Sequence, residues 1–269
     1  MKDLSITFVV AVNDREVSRK NLLASPCLQP PHPHELIFQE RYRSAAAAYN
    51  DGLARAINEI VVLVHQDVFL PDPWIMQLQS ALETLDKTDP SWGVLGCWGM
   101  SHSGKGQGHV YTPDPGVIGH SFSEPVPVQT LDELLLVVRK SSNLKFDPQL
   151  PGFHMYGTDI CLTAANAGFN CYAISAFCVH NAQPYSGFPS DFVRSYNYVK
   201  QARHASLPIY TSCVTIARFD GHLHWINFRY LVSRLWNRRT NRGARVEDPR
   251  RTMENLKPKC AIPVKDDTR

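Results

Sequence analysis

The sequence predicts an α/β domain built on a mainly parallel, mixed sheet flanked by helices, and three observations carry that expectation. Apolar, β-branched runs alternate along the chain with segments of helical periodicity, as βα-connected strands require. The third run, "EIVVLVHQDV" (59–68), is apolar at nearly every position before its tip, as a strand covered on both faces must be. Several runs stop at polar, chemistry-bearing residues: Asn13-Asp14, His65-Gln66-Asp67 and His180-Asn181. Parallel sheets bind ligands at the carboxyl ends of their strands, so these tips are where function is sought.

The elements follow in order. "SITFVVAV" (5–12) is the first strand, "REVSRKNLLAS" (15–25) a helix, "CLQPPHPH" a proline-rich loop and "ELIFQ" (35–39) the second strand. "SAAAAYNDGLARAIN" (44–58) is an alanine-rich helix with Ser44 as its N-cap. After the third strand, "PWIMQLQSALETLDK" (73–87) is a helix with Pro73 in its first turn, and "WGVLGCWG" (92–99) is the fourth strand. The run 100–119, rich in Gly, Ser, His and Pro, reads as a mobile loop, and 99–106 at its start as a flexible lid. "PVPVQTLDELLLVVRK" returns as a strand or turn leading to an apolar run, "FHMYGTDICLTAANAGF" as a loop entering a helix that stops near Gly168, "NCYAISAFCVHN" as a strand and "SDFVRSYNYVKQARH" as a helix. No internal repeat is present.

Length and composition fit a soluble globular chain: 269 residues, 43% hydrophobic and 20% charged. No apolar run approaches the ~20 residues that span a bilayer. The first residues have too short an apolar stretch, with charges too close on both sides, for a secretory signal. Seven scattered cysteines form no CxxC pair, which suggests neither a zinc site nor a disulfide framework and fits a reducing cytoplasm. Charge is asymmetric: from Arg218 onward there are 13 Lys and Arg against 6 Asp and Glu, so basic character belongs to the C-terminal segment. Two parts are expected, a catalytic domain over 1–217 and a basic aromatic helix plus a poorly ordered tail over 218–269.

"AAAAYNDGLARA", "VVLVHQDVFLPDPW", "WGVLGCWGM", "PVQTLDELLLVVRK", "FDPQLPGFHMYGTDICLTAANAGFNCYAI" and "CVHN", in that order, resemble the GT-A glycosyltransferases, specifically family-2-like enzymes of the StrF-type branch. The resemblance covers roughly residues 4–215. It implies a GT-A fold and a hexosyltransferase moving a sugar from a UDP-, GDP- or dTDP-sugar to a hydroxyl on a glycan, lipid-linked or small-molecule acceptor, with inversion. It also implies a divalent cation. Negative charge builds on the leaving diphosphate, and a hard cation with oxygen ligands stabilises it, so Mg²⁺ or Mn²⁺ suits the role.

The same resemblance assigns residues. Asp67 falls at the metal-facing carboxylate of a DXD-like motif whose usual acidic neighbours are here His65 and Gln66. His180 stands where many of these enzymes have a metal- or phosphate-facing histidine, and an imidazole ligand tilts the preference toward Mn²⁺. Asp159 matches the acceptor-side aspartate that serves as general base, with Thr158 where a glutamate often stands. Asn13 and Asp14 match the region that holds the nucleoside, Gln66 of the DXD-like motif is expected to help bind the donor, and Asp132-Glu133 match a feature near the donor sugar. Read from the residues alone, Asp159 suits helix capping first, Asn13-Asp14 suit a turn, and Asp132-Glu133 equally suit first-turn acids.

Other functions fit less well. "GMSHSGKG" (99–106) lacks the hydroxyl and the helix that complete a phosphate-binding P-loop, and no GxGxxG follows the first strand. His222 and His224 make a poor hydrolytic metal pair. "HLHWINFRYLVSRLWNRR" joins aromatics to arginines, which suits peripheral membrane contact over 222–242, packing on the domain, or a homodimer; no nucleic-acid-binding module is present. The main alternative to an enzyme is a catalytically weak or inactive sugar-nucleotide-binding scaffold.

Overall fold

A computed structural model describes residues 4–183, 187–235 and 245–260 of the chain, with side chains 233–235 and 257–260 left aside. The strands are β1 Ile6–Val12, β2 Glu35–Glu40, β3 Ile60–His65, β4 Val68–Phe69, β5 Trp92–Gly96, β6 Trp98–Met100, β7 Gly106–Thr112 and β8 Gly116–Gly119. After them come β9 Val126–Pro127, β10 Thr130–Leu131, β11 Leu135–Arg139, β12 Asn170–Ala173, β13 Cys178–His180, β14 Ile209–Tyr210 and β15 Thr215–Ile216. The helices are α1 Arg15–Lys20, α2 Ala45–Arg55, α3 Trp74–Thr88, α4 Tyr156–Asn166, α5 Ser190–Ala202, α6 Gly221–Leu235 and α7 Pro249–Cys260.

The main sheet has seven strands in the order β2-β1-β3-β11-β5-β12-β9. β2, β1, β3, β5 and β12 run one way, whereas β11 and β9 oppose them. The sheet is therefore the mixed, mainly parallel one expected. Its central strands are sealed on both faces: Val61, Val62, Leu63 and Val64 of β3 are all buried, alternate residues feeding two separate cores. β1 pairs with β3 in register from Ile6 opposite Ile60 to Ala11 opposite His65, so the two strand tips finish side by side.

Local chemistry explains the boundaries. Ser44 Oγ accepts from Ala47 N at 3.2 Å and starts α2 as an N-cap. The tight seat of α2 on β1 depends on Gly52, where a Cβ would stand 2.2 Å from a Val9 methyl. Pro73 is the N-cap of α3 rather than its first residue. The fourth predicted strand divides at Cys97 into β5 and β6, and "NCYAISAFCVHN" divides into β12 and β13, which lie in different sheets.

The mobile loop expected over 100–119 is instead built of β-hairpin strands, and the 99–106 stretch expected as a lid is the connection of β6 to β7. β7 pairs with β8, and also with β6 and β13. Its glycines are there for close approach: at Gly108, with φ +135°, a Cβ would stand 2.1 Å from the Cys97 carbonyl oxygen. A segment tied on both edges by ladder bonds is part of the framework. Within the described residues of the C-terminal segment, α7 covers Pro249–Cys260 and its Met253 packs on Phe69, Phe177 and Val179. Residues 261–269 of that segment lie outside the described residues.

Candidate active site

β3 ends at His65, and a two-residue turn leads to β4, which pairs antiparallel with β13 so that His180 stands opposite Val68. Asn181 N donates to the Asp67 carbonyl at 2.9 Å and locks the two strand ends together. This pairing brings His65, Asp67 and His180, distant in sequence, into one cluster whose ligand atoms lie within 4.8 Å of one another. His65 Nδ1 is 3.9 Å and His180 Nε2 3.6 Å from the same oxygen, Asp67 Oδ1.

The far side of His65 decides its tautomer. Tyr156, first residue of α4, donates its hydroxyl proton to the Glu133 carbonyl at 2.9 Å. Its oxygen is also 2.6 Å from His65 Nε2, so in that contact the imidazole is the donor. His65 then carries its proton on Nε2 and turns a bare Nδ1 lone pair toward Asp67. Burial pushes the His65 pKa down to about 4, against the pull of Asp67, which keeps the ring neutral at physiological pH. Burial would raise Asp67, but hydrogen bonding to His180 and the charges of His180, His65 and Arg245 outweigh it and hold the carboxyl below its usual range. Burial opposes protonation of His180, yet the Asp67 carboxylate beside it wins and raises its pKa.

Two imidazole nitrogens and a carboxylate oxygen with an oriented partner behind one ring form a donor set that fits a divalent cation. Asp67 and His180 were the expected ligands; His65 was not among them, although the His-x-Asp spacing at a strand tip puts both side chains on one side. The second Asp67 oxygen is taken: Oδ2 accepts from Arg245 Nη2 at 2.9 Å.

The cluster opens on a cleft of about 700 Å³ at the carboxyl ends of β1, β2 and β3. Asn13, Gln66 and Asp67 line it, together with Tyr42, His154 and Asp191. Gln66 Oε1 accepts from the backbone N–H groups of Asn13 and Asp14, both at 3.0 Å, while Gln66 Nε2 donates to Asn13 Oδ1 at 2.5 Å. The two strand tips are thereby stitched together. Asp14 itself turns away to cap α1, accepting from Glu16 N at 2.9 Å and Val17 N at 3.2 Å. Asp132 lies on the other side of His180 and lines a second cavity of about 420 Å³ with it. Its Oδ1 accepts from Leu134 N at 3.1 Å, and its Oδ2 accepts from Ser212 Oγ at 2.5 Å.

The acid expected as general base is elsewhere. Asp159 has no exposed surface. Arg203 donates to its Oδ1 from Nε at 3.0 Å and Nη2 at 2.6 Å, and Asp147 N donates to Oδ2 at 3.2 Å. A carboxylate so enclosed reaches no acceptor hydroxyl; it ties α4 to the end of α5. The cleft holds another carboxylate, Asp191, whose Oδ2 is 3.4 Å from His154 Nε2. Burial lowers the His154 pKa despite the pull of Asp191, which favours a neutral imidazole.

A protein from Fuscovulum blasticum described as "ATP synthase subunits region ORF 6" is 33% identical over 134 residues, 48% of this chain and 53% of that protein. The chain thus spans about half the length of the curated relative it matches. Among solved structures, GalNAc-T7 with UDP, GalNAc and Mn²⁺ gives a TM-score of 0.48 at 10% identity, over 78% of this chain and 52% of that one. The mannosyltransferase PcManGT from Pyrobaculum calidifontis with GDP-Man and Mn²⁺ gives 0.48 at 17% identity, over 74% and 64%. S. aureus TarS 1–349 with UDP-GlcNAc gives 0.46 at 14% identity, over 88% and 74%. Residues 7–187, more than half of the chain, match the glycosyltransferase-like family, and the chain belongs to it.

Proposed function

We propose that the protein transfers a hexosyl group from a nucleotide-diphosphate sugar to a hydroxyl acceptor, with inversion and with a divalent cation, Mn²⁺ ahead of Mg²⁺. The observation that carries this reading is the His65–Asp67–His180 cluster, set at the strand ends of a family member and opening on a cleft large enough for a nucleotide sugar. A cation bound there supplies positive charge to the diphosphate as it leaves.

The chain's own residues do the rest. His65 Nδ1, Asp67 Oδ1 and His180 Nε2 would hold the cation, and Tyr156 fixes the His65 ring. The Asn13–Gln66 amide pair forms a rigid wall at the tips of β1 and β3 where the nucleoside is received. As the acceptor oxygen attacks the anomeric carbon and the bond to the diphosphate breaks, His154, paired with Asp191, takes the hydroxyl proton. Asp132, facing His180 from the second cavity, serves the donor sugar.

Phe219, Trp225, Phe228 and Leu231 are all exposed, on or just before α6, with Arg218 and Arg229 among them. This supports a lipid-linked acceptor presented at the cytoplasmic face of a membrane, with α6 as the contact. Incubation with UDP-, GDP- and dTDP-sugars and Mn²⁺, followed by nucleoside-diphosphate release, tests the transferase reading. Release from one donor, abolished by Asp67→Asn, is expected. Donor binding with no release by hydrolysis or transfer would instead favour a binding scaffold.

A further inference from the structure

Arg245 comes from a part of the chain remote from the catalytic strands, 178 residues after Asp67. Nothing in the transfer chemistry above uses it, yet its guanidinium is hydrogen-bonded to the central carboxylate. Nη2 donates to Asp67 Oδ2 at 2.9 Å, and Nε donates to the Asn181 carbonyl at 2.8 Å. The neighbouring residue is clasped as well: Asn181 Nδ2 donates to the Val246 carbonyl at 2.8 Å while Val246 N donates to Asn181 Oδ1 at 2.7 Å. Asn181 is itself buried, and it follows directly on His180. A few residues on, α7 is seated by Met253 against Phe69, Phe177 and Val179 of the β4–β13 pair and its approach. The segment from Arg245 is therefore docked on the two strands that carry the candidate ligands, with a cation of its own directed at Asp67.

We propose that Arg245 is a positioning residue that competes with the divalent cation for Asp67, so that cation binding is linked to release of the C-terminal segment. This rests on the cation reading of His65, Asp67 and His180. A carboxylate already neutralised at hydrogen-bond distance by a guanidinium attracts a second cation less, and like charges so close repel. A docked Arg245 therefore weakens the site for a bare ion. A ligand that offers the displaced guanidinium new acceptor oxygens removes the conflict, and the diphosphate of the donor is such a ligand because guanidinium pairs with phosphate as readily as with carboxylate. Cation and donor would then bind as a pair, each strengthening the other, and by linkage the segment's docking and the ion's affinity oppose one another equally.

Mn²⁺ titration by calorimetry or by the EPR signal of the free ion tests this on the full chain. Arg245→Gln should bind Mn²⁺ alone about five-fold tighter or more than the wild type. UDP or GDP should raise Mn²⁺ affinity less in Arg245→Gln than in the wild type. A second measurement needs no substitution. Trypsin must engulf the arginine side chain it cleaves after, so the fragment ending at Arg245 should appear faster when Mn²⁺ is present. Equal or weaker Mn²⁺ binding by Arg245→Gln, or unchanged cleavage after Arg245 with a wild type that binds Mn²⁺, would overturn the competition while leaving the cation site standing. Mn²⁺ binding by neither protein would overturn the cation reading and the competition together.

Discussion

Tyr156 sets the proton of His65. The tyrosine gives its only hydroxyl hydrogen to the Glu133 carbonyl and receives the His65 Nε2–H at 2.6 Å, so the opposite nitrogen is left bare and aimed at Asp67. The residue at the start of α4 thus prepares a ligand at the end of β3, and several consequences of the cluster turn on this one contact.

Removing the tyrosine hydroxyl should loosen the cation without dismantling the fold. Tyr156→Phe leaves His65 free to change tautomer and orientation, and loss of such a supporting partner typically costs 10–100-fold in metal affinity. The part-buried Glu133 carbonyl also loses its donor, for a stability loss of about 0.5–1.5 kcal/mol. Mn²⁺ titration and thermal unfolding read the two effects; a variant that unfolds earlier but binds Mn²⁺ as before would assign Tyr156 to stability alone.

His65 should make the protein acid-sensitive. Its folded pKa of about 4 lies below the ordinary histidine value, so between those two pH values the unfolded chain binds the extra proton and stability falls as pH falls. His180, raised by Asp67, acts with the opposite sign: its contribution is full below the ordinary histidine value and fades as pH rises through the raised one. Urea unfolding of His65→Asn from pH 7 to pH 4 should show a shallower loss than the wild type, by on the order of 1–3 kcal/mol. An identical pH slope in the two proteins would remove His65 as the source.

Asp159 should prove structural. Breaking a buried ion pair from one side costs about 3–5 kcal/mol, so Asp159→Asn should unfold at lower temperature. Arg203→Met should also destabilise, and both variants should retain Mn²⁺ binding while folded. A stable, well-folded Asp159→Asn that binds donor and has lost all turnover would return the base to that position.

Turnover should depend on the cleft pair instead. His154→Ala and Asp191→Asn are expected to lower transfer by roughly 10²–10⁴-fold, the usual worth of a positioned base, with donor and Mn²⁺ affinities little changed. Full activity in both would exclude them as the proton acceptor.

Much of this was legible in the sequence, for physical reasons that also mark the limits. β1 and β3 declare themselves because strands buried on both faces have no polar face to confuse with a helix, and Ser44 reads as a cap because its hydroxyl meets an unpaired backbone N–H of the first turn. Asp67 and His180 could be named from the ordered motifs. His65 was treated as a replaced acid, since nothing local reveals that a tyrosine 91 positions later receives its Nε2–H. Arg245 carried no signal at all, because its role exists only once the C-terminal segment has folded back on β4 and β13. The glycines of 100–119 look permissive in sequence and suggest a mobile loop, whereas Gly108 is required by a close backbone approach. Asp159 misled for the opposite reason: a carboxylate in the first turn of a helix looks cleft-facing until the arginine that covers it, 44 residues on, is in place.

His65, Asp67 and His180 are proposed to hold a divalent cation for a nucleotide-diphosphate donor. Calorimetric titration of UDP, GDP and dTDP, each with and without Mn²⁺, tests it most directly in the wild type and in His65→Ala, Asp67→Asn and His180→Ala. One nucleotide binding at least ten-fold tighter with Mn²⁺, with that gain lost in all three variants, is the predicted result. Nucleotide binding indifferent to Mn²⁺, or a Mn²⁺ gain that survives Asp67→Asn, would contradict it.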